Sequence, residues 1–205
     1  MPRVRRIIVG ISGASGVVYG VRALQALRRA GIETHLVLSR AAEMTLAYET
    51  DLKVRDVEAI ATVVHKPEDV GASISSGSFK TLGMIVAPCS IRSLAEIAYG
   101  NTTSLLTRAA DVVLKERRRL VLLVREAPLD VRHLRAMTQA AEAGAVILPP
   151  VPAFYQSPRT VDDIVDHTVG RALDLFDIES DLVKRWGETG PRAPKPRRTA
   201  RRGAK

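Results

Sequence analysis

The chain has 205 residues, of which 46% are apolar and 26% are charged, and this balance excludes a chain that is disordered throughout. Only 4% of the residues are aromatic, so we expect an aliphatic core, and the single cysteine, Cys89, cannot form an internal disulfide, which favours a reducing, cytoplasmic compartment. The net charge is +9, and the apolar run after the basic N-terminus is too short for a signal peptide or a membrane span.

Strands and helices are predicted to alternate along the whole chain. Apolar runs predict strands at 5–11, 34–38, 84–87, 120–124 and 145–148, and Pro88 is expected to end the third of these. Helical spacing of apolar residues predicts helices at 17–30, 40–48, 54–62, 91–99, 104–118, 130–143 and 161–176. Gly31 is expected to end the first helix in the left-handed conformation. Strands that are apolar on both faces and separated by helices predict a mostly parallel sheet inside a three-layer α/β sandwich.

The C-terminal segment differs from the rest in composition. Residues 187–205 carry seven Lys or Arg and one Glu, and the other residues have a net charge of only +3. This segment has almost no apolar content, so we expect a folded domain at 1–187 and a disordered basic tail at 188–205. Such a tail can contact nucleic acid or acidic lipids, but a solvated extension is the simpler interpretation.

The loops after the strands are where a parallel α/β sheet binds its ligands. The first such loop contains Gly13, Ala14, Ser15 and Gly16, whose small residues and hydroxyl suit a phosphate or the edge of a flavin. Its glycine spacing matches neither a dinucleotide fingerprint, nor a P-loop, nor a hydrolase elbow, so a merely tight turn stays open as an alternative.

Two further loops carry hydroxyl groups in comparable positions. Ser39 follows the second strand, and Ser90 is expected to cap the helix after the third strand, so that the N–H groups of residues 91–93 point outward. Capping alone would also explain Ser90.

Charged side chains supply the remaining candidates. Arg108 and Lys115 share one face of a predicted helix, about 10.5 Å apart along its axis, with Asp111 between them. A surface ion-pair ladder and a pair of cations facing a phosphate both fit this spacing. The histidines are scattered and no C-x-x-C is present, so no metal site is predicted, and Cys89 is interpreted as a small buried side chain.

A set of short stretches, taken together and in order, resembles the flavin prenyltransferase (UbiX-like) family. The set runs over residues 5–187, and its order makes it specific although each stretch alone is weak. The stretches are Ser12-Gly13-Ala14-Ser15-Gly16, Glu49-Thr50-Asp51, Ala87-Pro88-Cys89-Ser90, Arg108-Ala109-Ala110-Asp111, Lys115-Glu116-Arg117-Arg118, Arg125-Glu126-Ala127-Pro128, Phe154-Tyr155 and Arg185-Trp186-Gly187.

The resemblance implies a flavodoxin-like or Rossmann-like fold and a metal-independent transfer reaction. A dimethylallyl group would pass from dimethylallyl phosphate to N5 and C6 of reduced FMN and form a fourth ring. The product, prenylated FMN, would go to a UbiD-type decarboxylase, and a flavin reductase would supply the reduced FMN. The family forms trimers that assemble into dodecamers with active sites at subunit interfaces, so a homododecamer is expected.

The resemblance also assigns roles to residues by their position in these motifs. The expected FMN-binding residues are Gly13, Ala14, Ser15, Ser39, Ser90, Ile91, Arg92, Ser93 and Arg125. The expected residues for dimethylallyl phosphate are Lys115, Tyr155 and Arg171, with Arg108 and Glu126 close by.

Six residues are implied in the chemistry itself: Ser15, Glu49, Arg108, Lys115, Glu126 and Trp186. Glu49 would handle protons at the flavin as the ring closes, and Ser15 and Glu126 would relay a proton with the departing phosphate. Trp186 would line the prenyl pocket and cover developing positive charge. With a phosphate to face, the interpretation of Arg108 and Lys115 as phosphate-directed cations is preferred.

Two alternatives belong to different functional classes. An FMN-dependent decarboxylase of the cysteine-decarboxylating flavoprotein type would share the sheet and the FMN loops, but its catalytic His and Asn-centred motif have no counterpart that we can place. A non-enzymatic FMN carrier or a nucleic-acid-associated module would rely on the basic tail. The body of the chain lacks the basic and aromatic interleaving that nucleic-acid binding favours.

Overall fold

A single parallel sheet organises the part of the chain that the computed structural model describes, residues 5–183. Its six strands lie in the order β3-β2-β1-β4-β5-β6, and every neighbouring pair is parallel. The strands are β1 (Arg6–Ile11), β2 (Glu33–Leu38), β3 (Val63–His65), β4 (Gly83–Cys89), β5 (Arg119–Val124) and β6 (Ala145–Ile147). Trp186 and the predicted tail at 188–205 lie outside the described residues.

Helices cover both faces of this sheet. They are α1 (Val17–Arg29), α2 (Arg40–Glu49), α3 (Val54–Glu58), α4 (Ile91–Ala98), α5 (Leu105–Lys115), α6 (Val131–Glu142) and α7 (Val161–Asp174). Single 3₁₀ turns occur at Ser73–Ser75 and Phe154–Gln156. No helix within residues 5–183 is long and apolar enough to cross a bilayer.

Successive side chains along each strand point alternately to the two faces of the sheet, into two separate cores. Ile7 and Val9 pack with buried residues of α1, α2, α3 and α7, whereas Ile8 packs with those of α4, α5 and α6. Both cores are almost wholly aliphatic. The fold is therefore the three-layer α/β sandwich that the sequence predicts, and its sheet is entirely parallel.

The structure differs from the sequence prediction of these elements at three points. The short strand β3 was not predicted, and helix α3 ends at Glu58, well before residue 62. Pro88 does not end the third strand, because β4 continues to Cys89, which pairs with Val124 of β5. The register between β4 and β5 shifts between Val86 and Cys89, and this irregularity accommodates a proline that has no N–H to donate. The left-handed end of the first helix is confirmed, since Gly31 has φ 66°.

The strand order creates a crevice between β1 and β4. The helix after β1 packs on one face of the sheet and the helix after β4 packs on the other. The loops that leave these two strands therefore diverge at the carboxyl edge, which is where sheets of this type bind ligands.

Candidate active site

Ser12 joins the two loops that flank the crevice. Its side chain is 1% exposed; the hydroxyl donates to the Pro88 carbonyl at 2.9 Å and accepts from the backbone N–H of Ser90 at 2.8 Å. The Ser12 N–H also donates to the Pro88 carbonyl, at 3.2 Å. The loop after β1 and the loop after β4 thus form one rigid unit.

Backbone hydrogen bonds extend this unit to the adjacent strands. The N–H of Ser39 donates to the Ile11 carbonyl at 3.0 Å, and the N–H of Arg125 donates to the Cys89 carbonyl at 3.1 Å. Gly13 packs so closely on α2 that a Cβ at this position would lie 2.3 Å from the Cβ of Ala41. Only glycine fits there, which fixes how the first loop sits against the start of α2. The structure therefore brings the predicted FMN-binding segments to one edge of the sheet.

Glu49 binds the N-terminus of α1. It is the last residue of α2, and its carboxylate accepts from the N–H of Gly16 at 2.8 Å and from the N–H of Val17 at 3.1 Å. These N–H groups have no partner within their own helix, so the carboxylate satisfies them and complements the positive end of the helix. Glu49 is thereby held against the loop after β1, in which the exposed Ser15 precedes Gly16.

The N-terminus of α4 presents a different arrangement. The hydroxyl of Ser90 accepts from the N–H of Ser93 at 3.2 Å, which confirms the predicted cap. Ile91 and Arg92 form the first turn, and the Arg92 guanidinium pairs with Glu96 at 2.9 Å. No acidic residue lies in this first turn, so the positive helix end suits an anion.

Arg125 provides the observation that tests whether FMN fits these loops. Its Nε atom is buried and has no hydrogen-bond partner among the described residues. A buried guanidinium N–H without an acceptor is costly, and an anionic ligand in the crevice would satisfy it. The donors at α4 and the unpaired Nε of Arg125 therefore fit the phosphate or the ring edge of FMN.

The residues expected to bind dimethylallyl phosphate are more dispersed. Arg108 lies 3.9 Å from Asp111 in an i,i+3 pair, and Lys115 is exposed at the last position of α5. Arg171 on α7 donates to Asp174 at 2.8 Å. Tyr155, on the 3₁₀ turn after β6, is 62% exposed and lies edge-on to His167 with 6.1 Å between ring centroids. Glu126 is exposed just after β5 and accepts from the N–H of Ala127 at 3.0 Å.

Within one chain, Lys115 and Arg171 lie away from the loops that are expected to bind FMN. Helix α5 leads back toward the amino edge of the sheet, where Arg118 binds the carbonyls of Gly77 and Phe79 just before β4 begins. Helix α7 also runs to this edge, because Phe176 approaches Gly83 at the start of β4. The two helices pack on opposite faces. One chain therefore does not bring Lys115 and Arg171 together with the loops expected to bind FMN.

Cys89 is the last residue of β4 and lies beside these loops. Its side chain is fully buried, and burial raises the pKa of the thiol to about 12. A thiol with this pKa is not a nucleophile near neutral pH, which confirms its interpretation as a small buried side chain.

The chain matches one protein family over most of its length. The family described as Flavoprotein matches residues 1–173. Flavin prenyltransferase UbiX of Escherichia coli (strain K12) is 62% identical over 185 residues, which cover 89% of this chain and 98% of that protein. The UbiX of Thauera aromatica is 59% identical over 181 residues, covering 88% of this chain and 93% of that protein.

The chain belongs to the UbiX flavin prenyltransferase family.

Solved structures of UbiX proteins share its fold closely. AnUbiX (PadA1), crystallised in complex with FMN and dimethylallyl pyrophosphate, has a TM-score of 0.88 and 52% identity, covering 90% of this chain and 98% of its own. A dodecameric FMN-dependent UbiX-like decarboxylase from E. coli O157:H7 has a TM-score of 0.86 and 52% identity, covering 88% and 98%. The flavodoxin-like fold expected from the resemblance is confirmed.

The alternative of a cysteine-decarboxylating flavoprotein is not favoured. Peptidyl-cysteine decarboxylase EpiD has a TM-score of 0.54 and 11% identity, a likeness that extends to the fold alone. The UbiX family match, by contrast, extends over sequence and fold together.

Proposed function

We propose that this UbiX-family chain is a flavin prenyltransferase that transfers a dimethylallyl group from dimethylallyl phosphate to N5 and C6 of reduced FMN. The observation that carries the proposal is the 62% identity to a flavin prenyltransferase over 98% of that protein's length. The Nε of Arg125, which is unpaired among the residues that the structure describes, supports an anionic ligand at the carboxyl edge of the sheet.

FMN is held by the loops that Ser12 joins. Gly13, Ala14 and Ser15 line one side of the crevice, and the first turn of α4 with Ser39 and Arg125 lines the other. The residues of that first turn are Ser90, Ile91, Arg92 and Ser93. Because hydrogen bonds already fix these loops to one another, little ordering is needed when the flavin binds.

The transfer breaks the C–O bond to phosphate and forms a C–N bond at N5 and a C–C bond at C6. The C=C bond of the dimethylallyl group opens as the second bond forms. Of the two protons displaced from N5 and C6 of the flavin, one goes to the CH carbon of the former C=C bond and one goes to the phosphate, so inorganic phosphate is released and no redox change occurs. Lys115, Arg108, Tyr155 and Arg171 stabilise the negative charge that develops on the leaving phosphate. In a pocket that excludes water, the allylic cation is not captured by solvent.

Three residues are assigned to the proton movements. Glu49 takes the proton from the flavin as the ring closes, from its position against Gly16 and Val17. Ser15 and Glu126 pass a proton to the departing phosphate. Trp186, outside the described residues, is proposed to line the prenyl pocket.

The site is completed by a second copy of the chain. The FMN loops and Lys115 lie at different edges of the sheet, so a neighbouring subunit must bring Lys115 or Arg171 to the flavin. This supports a homo-oligomer, and the dodecameric relative suggests that arrangement. We further propose a cytoplasmic enzyme that receives reduced FMN from a flavin reductase and passes prenylated FMN to a UbiD-type decarboxylase.

The proposed activity is tested by anaerobic incubation of the full chain with reduced FMN and dimethylallyl monophosphate or pyrophosphate. We expect the flavin to gain the mass of one prenyl unit, and no mass gain with either donor would contradict the proposal.

Arg125→Ala is expected to weaken FMN binding at least about tenfold because a charge-assisted hydrogen bond is lost. Arg132→Ala, which removes an exposed arginine paired with Asp130 on α6, is the matched control and should bind FMN normally.

The shared site is tested by mixing two inactive variants. Arg125→Ala and Lys115→Ala are each expected to lose activity, and co-expression should restore part of it, because some sites then combine an intact Arg125 with an intact Lys115 from different chains. Co-expressed variants that stay inactive would contradict a site built from two subunits.

A further inference from the structure

His167 is a polar side chain of this region to which the family motifs assign no role. It lies on α7 one turn before Arg171, so the two side chains share a face of the helix. Its ring packs edge-on against Tyr155, with an interplanar angle of 89°. His167 therefore lies between two residues that are proposed to bind the phosphate end of the substrate.

Within residues 5–183, the Nε2 atom of His167 has no hydrogen-bond partner although it is shielded from water. It is buried and makes no hydrogen bond among the described residues. Buried polar atoms are rarely left unpaired, because the loss of hydrogen bonds to water costs free energy that no protein contact then offsets. Exceptions point to a ligand or a functional contact.

The surroundings of His167 keep the ring neutral. Burial lowers the pKa of His167, and the positive charge of Arg171 lowers it further, while Asp174 opposes these effects. A neutral imidazole beside Arg171 offers hydrogen bonding without adding a repulsive charge there.

The aromatic neighbour of His167 lies on an exposed turn. Tyr155 is 62% exposed on a 3₁₀ turn that contains no buried residue. Ser157, which follows this turn, has the left-handed φ of 53°. A shift of this turn when the substrate arrives would uncover Nε2 beside the phosphate.

We propose that His167 is a further substrate-binding residue, whose Nε2–H donates a hydrogen bond to the phosphate of the dimethylallyl donor between Tyr155 and Arg171. This rests on the proposed function, because it assigns the phosphate to Tyr155 and Arg171. It adds a neutral donor to the cations that the family motifs identify.

Three substitutions separate hydrogen bonding from packing. His167→Gln keeps a side-chain N–H near the position of Nε2, His167→Phe keeps an aromatic ring against Tyr155 without the nitrogen, and His167→Leu removes both. With FMN bound, we expect the Phe and Leu variants to raise the KM for dimethylallyl monophosphate about 5- to 20-fold, with kcat within about threefold, as the loss of one hydrogen bond predicts. The Gln variant should restore the KM to within about twofold.

The same variants are measured by calorimetric binding of dimethylallyl monophosphate to the FMN-loaded oligomer, and the Kd should change in the same order. A Phe variant with the KM and Kd of the wild type would overturn the proposal, because the ring alone would then suffice. Equal losses in all three variants, including Gln, would also overturn it. Thermal unfolding and FMN affinity show whether each variant is folded.

The binding measurement distinguishes this inference from the proposed function. If the wild-type chain makes no prenylated flavin but binds the monophosphate in a manner sensitive to His167, the function fails and the inference stands. If the wild-type chain is active and the variants match it in KM and Kd, the inference fails and the function stands. A wild-type chain that binds neither the monophosphate nor the pyrophosphate overturns both.

Discussion

Replacement of Ser12 by alanine should separate the two loops on which the proposed FMN site depends. The hydroxyl makes two hydrogen bonds from a side chain that is 1% exposed, one to the Pro88 carbonyl and one from the Ser90 N–H. After substitution the Pro88 carbonyl keeps its bond from the Ser12 N–H, but the Ser90 N–H loses its acceptor.

The expected cost follows from this difference. A polar group left without its partner costs about 1–3 kcal/mol, and one of the two partners remains satisfied, so we expect the free energy of unfolding to fall by about 2 kcal/mol. FMN affinity should also fall, by about tenfold, because the ligand must then order two loops that are no longer joined.

Urea unfolding followed by circular dichroism measures the first effect, and fluorescence titration with FMN measures the second. The midpoint should move at an unchanged dependence on urea concentration, since the surface exposed on unfolding stays the same. Ser12→Thr keeps the hydroxyl and should retain FMN affinity, whereas Ser15→Ala, at an exposed position, should leave the unfolding free energy unchanged. A loss below about 0.5 kcal/mol for Ser12→Ala would refute the reasoning, because surface substitutions alone produce changes of that size.

Three further predictions concern Glu49, Cys89 and His65. Glu49→Gln should still bind FMN, because one oxygen remains to accept from Gly16 or Val17, but turnover measured by flavin mass should fall about 100-fold or more; unchanged turnover would remove Glu49 from the proton transfers. Cys89, whose thiol has its pKa raised to about 12 by burial, should resist thiol reagents in the folded protein and react fully once unfolded in urea; rapid labelling of the native chain would contradict its burial. Burial lowers the pKa of His65 below its ordinary value of 6.5, and the charge of His35 lowers it further, while Asp69 opposes both effects. The unfolded chain therefore binds more protons than the folded chain between the two pKa values. The free energy of unfolding should decrease as the pH falls from above 6.5 through the lower pKa of the folded state. Urea midpoints at about pH 7.5 and about pH 5.5 should therefore differ more for the wild type than for His65→Gln, and equal differences would assign the pH dependence to other groups.

Local pattern was sufficient for most of the secondary structure. Val17, Val21 and Leu24 recur at helical spacing and are all buried on one side of α1, so the period alone predicts the helix. The first strand is apolar at consecutive positions because it is covered on both faces, as Ile7 and Ile8 show by packing into different cores. The three-residue strand β3 has no such signal, and it exists because His35, Leu36 and Val37 of β2 pair with it.

The candidate site also combines features that local sequence predicts with contacts that only the fold creates. The chemistry of Ser90 is local, since a hydroxyl followed by a helix accepts from an N–H three residues later, and the sequence is enough to predict it. The partner of Glu49 lies more than thirty residues away at the start of α1, so no local pattern reveals it. His167 could not be identified from the sequence either, because it belongs to no motif. Its proposed role depends on its contact with Tyr155, which only the fold creates.

The sequence by itself determined the order of strands and helices, the loops that carry polar groups, and the family to which those loops belong, because these properties depend on neighbours a few residues apart. Only the tertiary structure decided that Ser12 joins two loops, that the buried Nε of Arg125 has no partner within residues 5–183, and that Lys115 lies at the edge of the sheet opposite to the proposed FMN-binding loops. Such relations arise when strand pairing and burial bring together residues that are remote along the chain, and they cannot be found from spacing alone.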